Sequence, residues 1–96
     1  MFSFFKKEKG IKGLKITLEM DFFCNSDCKK GQQLVLNENI PIDSIVINDN
    51  YLLNAIISFI WLGSADELKK ILYEFSNLGR MRQLVTKPAR YKNGSI

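Results

Sequence analysis

The sequence predicts a small single α+β domain, in which a largely antiparallel sheet carries an αα-hairpin on one face. Three observations lead there. Apolar and polar residues alternate strictly from Leu14 to Phe22, apolar residues recur at helical spacing from Leu68 to Leu78, and the composition is that of a globular chain. With 96 residues, 46% hydrophobic and 25% charged, the chain can build one modest core and no second domain. Residues 1–96 therefore read as one unit, without repeat or linker. A basic, aromatic segment over 1–12 and a polar tail over 88–96 are expected to be its flexible margins.

The first strand is predicted near 14–23, with Leu14, Ile16, Leu18, Met20 and Phe22 on one face and Lys15, Thr17, Glu19 and Asp21 on the other. The polar run from Cys24 to Gly31 reads as turn chemistry, leading to a second strand near 32–37. A third strand near 44–47 rests on Ile45, Val46 and Ile47, with Pro41 upstream restricting that stretch to an edge or a strand start. Asn48, Asp49 and Asn50 resemble a helix N-cap, so the apolar stretch that follows is read as a buried helix over 51–62. Continuous strand is the rival reading there, because Ile56, Ile57, Phe59, Ile60 and Trp61 all suit pleated surfaces. Gly63 would stop that helix, and Ser64 with Glu67 forms a capping box for a second helix over 65–78. A last strand is predicted near 81–87, closed by Pro88.

The chain contains no histidine. That removes the Ser-His-Asp and Cys-His nucleophilic sites and His-ligated metals. Cys24 and Cys28 are the only cysteines, too few to complete a four-ligand zinc site within one chain. They are expected to be free, exposed thiols, with Cys28 the more reactive because Lys29 and Lys30 favour its thiolate. The acids Asp21, Asp27, Glu38, Asp43 and Asp49 are spaced irregularly around turns, and no glycine-rich phosphate loop appears. No enzymatic activity, metal or cofactor is predicted.

The net charge of +4 is unevenly placed: +3 over residues 1–30, −5 over 31–68 and +6 over 69–96. If the two ends converge in the fold, they make one positive face. The start places Phe2, Phe4 and Phe5 before Lys6 and Lys7, the reverse of a secretory leader, and the longest apolar run is too short to cross a bilayer. A cytoplasmic protein is expected.

The favoured functional expectation is a non-catalytic protein–protein interaction module: a regulator, inhibitor or immunity-type protein that binds a partner or its own copy. A helix apolar all round has two faces to bury in a small domain, so Phe59 and Trp61, joined by Tyr73 on the second helix, are the candidate partner-binding residues. The alternative is a nucleic-acid-binding accessory protein using Arg80, Arg82, Lys87, Arg90, Tyr91 and Lys92, five cations interleaved with one aromatic. The paired helices do not read as a helix-turn-helix, because Asp66 and Glu67 at the start of the second would repel phosphates.

Overall fold

The computed structural model describes residues 10–92, and the sequence-read features at 1–9 and 93–96 lie outside them. Strand β1 (Ile11–Phe22) is followed by helix α1 (Asn25–Leu34), a 3-10 turn (Ile42–Ser44) and strands β2 (Val46–Asp49) and β3 (Asn54–Trp61). Helix α2 (Ala65–Ser76) and strand β4 (Gly79–Tyr91) complete the chain. The four strands form one sheet in the order β2-β3-β1-β4, every neighbouring pair antiparallel. Each helix thus joins two strands that are parallel to one another and separated by a third, the split βαβ arrangement of ferredoxin-like folds.

The alternation in β1 decides which face is dry. Ile16, Leu18, Met20 and Phe22 are buried, as are Ala55, Ile57, Phe59 and Trp61 on β3, and the register sets Ile16 against Phe59 and Leu18 against Ile57. Leu68, Ile71 and Phe75 of α2 close this face, together with Val35 just beyond α1. The other face of the sheet carries no helix among the described residues.

The α+β class, the antiparallel sheet and the helix over 65–78 agree with the sequence reading; the αα-hairpin does not. The stretch read as helix 51–62 is β3, a central strand flanked by β1 and β2. Such a strand is apolar on both faces, with Ile56 and Ile60 half-buried opposite its core row. By composition it imitates a buried helix. Asn48 and Asp49 end β2 and Asn50 begins the turn, so they cap no helix. Residues 32–37, read as strand, hold the last turn of α1 and its exit. The thinly apolar α1 buries only small Gly31 within its span, with Cys28 and Leu34 packed at its margin. The third strand begins two residues later than read, and Ser44 belongs to the 3-10 turn. The last strand runs through Pro88, which an edge strand tolerates, so residues 11, 12 and 88–91 are ladder rather than flexible margin. Capping of α2 is as predicted: the Glu67 N–H donates to Ser64 Oγ at 3.2 Å.

Candidate interaction surfaces

β1 is a central strand of the sheet, running from Ile11 to Phe22. Its two ends carry different chemistry. At the Phe22 end, β2 and β3 are joined through Tyr51, Leu52 and Leu53, and both leucines hold positive φ, 57° and 64°. That region disfavours side chains larger than Asn or Asp, so this turn is strained at two successive residues. What maintains it is visible. The Leu53 carbonyl accepts from Phe22 N–H at 2.9 Å, and Asn50 N–H donates to the Asn54 carbonyl at 2.7 Å. Asn54 Nδ2 donates to Asp21 Oδ1 at 2.6 Å and to Glu19 Oε2 at 2.9 Å. The Arg82 guanidinium in turn reaches Asp21 at 3.0 Å. The Asn54 amide, followed by the Arg82 guanidinium, holds the Asp21 carboxyl below its ordinary range.

This clamped turn shows apolar side chains to solvent. Tyr51 is 81% exposed and Leu52 79%, and Phe23 at the same end of the sheet is 66% exposed. Leu53, by contrast, packs against the core.

At the Ile11 end, the basic ends of the sequence meet. β1 and β4 pair there as Ile11 with Tyr91, Lys12 with Arg90, Gly13 with Ala89, Leu14 with Pro88 and Lys15 with Lys87. β3 stops opposite Leu14, so the last three pairs project as a two-stranded ribbon. Lys92 continues it beside Gly10. An open depression of about 520 Å³ is lined by Lys12, Gly13, Pro88, Ala89 and Arg90, and a smaller one of about 220 Å³ on the helix-free face by Lys15, Thr17, Val85 and Lys87. The Tyr91 hydroxyl donates to Asp43 Oδ1 at 2.8 Å, which pushes its pKa above the ordinary tyrosine value.

The sequence-predicted partner residues do not assemble. Phe59 and Trp61 lie in the core, and the Trp61 indole N–H is satisfied by the Ser64 carbonyl at 2.9 Å. They are absent from the surface because β3 turns them to the helices. Tyr73 is exposed on α2, on the surface and apart from the buried Phe59 and Trp61. Of the six predicted nucleic-acid residues, Arg90 and Tyr91 lie on the ribbon and Lys92 follows it, while Lys87 lies just inside the sheet opposite Lys15. Arg80 and Arg82 sit at the other end of β4, opposite Asp21 or paired with it. The sequence reading missed Lys12 and Lys15, which only the antiparallel register brings to the β4 cations. It also missed Tyr51, Leu52 and Phe23, hidden inside stretches read as helix and strand.

Both thiols are free, Cys24 exposed and Cys28 half-buried. Burial, and then Asp49, push the Cys28 thiol up, overriding the expected effect of Lys29 and Lys30. Among the described residues no group of three or more Cys, Asp or Glu side chains is placed to hold a metal, and no described helix is long and apolar enough to cross a membrane. No family model, curated protein or solved structure matches this chain.

Proposed function

We propose that the protein is a non-catalytic interaction module that docks a protein partner on the apolar end of its sheet. The supporting observation is the turn at 51–53, where two left-handed leucines hold Tyr51 and Leu52 in solvent. Strained backbone persists only where surrounding bonds fix it, and it concentrates at sites that present side chains to a ligand. Large aromatic and aliphatic groups on a rigid tip are the anchors that dominate protein interfaces. Phe23 enlarges the patch.

The test compares the full chain with Tyr51→Ser/Leu52→Ser and with a control, Tyr73→Ser, in affinity capture from the source cell. A partner retained by the control and lost by the double variant supports the reading; identical captures from all three overturn it. Light scattering across concentration identifies self-association: a dimer dispersed by the double variant makes the partner a second copy of this chain.

A further inference from the structure

We propose that the outer edge of β4 takes up an extended, acidic segment of a protein partner as a further strand of the sheet. This site is separate from the turn at 51–53 and does not rest on it. The described sheet has two edges. β2 is four residues long, too short to template much pairing, whereas β4 is 13 residues long and lies at the other margin. In an antiparallel strand the N–H and C=O of one residue point to the same side, and successive residues alternate. Phe22 N–H donates to the Leu53 carbonyl at 2.9 Å and Phe23 N–H to the Leu78 carbonyl at 3.0 Å, so the odd-numbered residues of β1 bond toward β4. Opposite them, Val85, Lys87 and Ala89 turn their backbone groups inward to β1, and Leu84, Thr86 and Pro88 turn theirs outward. Pro88, which has no N–H to lose, stands at one of the outward positions. Leu84 and Thr86 each present an N–H and a C=O there and Pro88 a further C=O, and no described residue bonds to them.

The side chains beside this edge select the occupant. Edge strands are protected from pairing by charge, proline or a bulge. In β4 those devices flank a window and leave it open: the register shift that skips Arg82 precedes it, and Lys87 and Pro88 close it. Gln83, Leu84, Val85 and Thr86 between them are uncharged. Leu84 is 40% exposed on the helix side, opposite buried Leu18, and half-buried Val85 lies on the helix-free face, opposite Thr17. An added strand with apolar residues at its centre extends both rows. Charge sets the rest. β4 carries Arg80, Arg82, Lys87 and Arg90 and no acid, and Arg82 is already held by Asp21 and Glu19. Lys87 borders the window and makes no ion pair with a described acid. A second copy of β4 brings the same cations and no carboxylate, so an acidic strand is the better complement.

The probe is a labelled peptide of about eight residues, blocked at both ends, with valine and threonine at its centre and glutamates on either side. Fluorescence anisotropy with the full chain should show binding. Methylating the peptide nitrogens of one alternate set, the one that faces β4, should weaken it at least roughly tenfold, and methylating the other set should leave it unchanged. Thr86→Pro removes an outward donor without touching the β1 ladder and should cost a similar factor. Lys87→Glu should weaken the glutamate peptide and strengthen one ending in lysines, while Lys69→Gln/Lys70→Gln on α2 alters neither. If Thr86→Pro fails to fold, amide hydrogen exchange in the unaltered chain decides. The Leu84 and Thr86 N–H groups should exchange fast alone and slowly with the peptide, and those of Val85 and Lys87 slowly in both states. No binding up to about 1 mM peptide, equal tolerance of both methylated sets, or unchanged exchange at Leu84 and Thr86 overturns the proposal. So does equal loss in the α2 control, or a dimer of the chain that Thr86→Pro disperses, which makes the occupant a second copy.

Discussion

Leu52 and Leu53 share a backbone conformation but differ in what their side chains do. Leu53 packs against the core and its carbonyl anchors β1, whereas Leu52 is exposed and adds only strain to the folded state. Leu52→Asn should therefore raise stability by about 0.5–1 kcal/mol, since Asn tolerates positive φ. Thermal unfolding checks this, and an unchanged or lowered midpoint contradicts it. The thiols separate by the same kind of reasoning. Cys24, exposed at the start of α1, should react with a thiol reagent in the native protein well before Cys28, whose thiolate is disfavoured by burial. Mass mapping of the first labelled peptide gives the order. At Tyr91 the protonated hydroxyl is the form that donates to Asp43, so the folded-state pKa lies above the unfolded one. The bond's contribution is fully present below the ordinary tyrosine pKa and is lost as pH rises through the folded value. Comparing unfolding of the full chain and Tyr91→Phe at neutral and strongly alkaline pH should show the difference between them shrinking at the alkaline end.

Among the elements, α1 rests on its least conspicuous residue. A Cβ on Gly31 would stand 2.7 Å from the Phe22 ring and 3.4 Å from Phe75, so the glycine is what lets the helix settle on the sheet. Replacing glycine by alanine inside a helix gains up to about 1 kcal/mol from propensity. Overpacking a buried contact costs about 1–3 kcal/mol. Gly31→Ala should consequently lower stability, and a denaturant midpoint above that of the unaltered protein would show that Phe22 moves aside freely. This also explains why α1 was illegible in the sequence. Its inward stripe is Cys28, Gly31 and Val35 at helical spacing, small or polar enough to pass for a turn. β1 and α2 were legible because their apolar residues are large and periodic. β3 was not, because a central strand is apolar on both faces and lacks the period that separates strand from helix. The candidate surfaces were half-legible for a related reason. Charge at each terminus is countable, but only the register of β1 against β4 brings Lys12 and Lys15 to Lys87 and Arg90.

Across the whole molecule, the two surfaces lie at different margins of one sheet. Thr86 stands opposite Ile16, and from there to Phe22 along β1, at about 3.3 Å per residue, is about 20 Å. The charge separates along the same axis: where β1 and β4 project their charged residues are Lys12 and Arg90, while the Phe22 end sets Glu19 and Asp21 against Arg82. Surfaces so placed suit a module that meets side chains at its tip and an extended backbone at its edge. Effects at sites farther apart than about 10 Å usually add. The two surfaces should therefore behave independently. Tyr51→Ser/Leu52→Ser should leave peptide affinity unchanged, and Thr86→Pro should leave partner capture unchanged. A chain carrying all three substitutions should show both losses at their separate sizes. If the turn variant instead weakens peptide binding as much as Thr86→Pro does, the two surfaces contact the same ligand, and they reduce to one elongated binding surface.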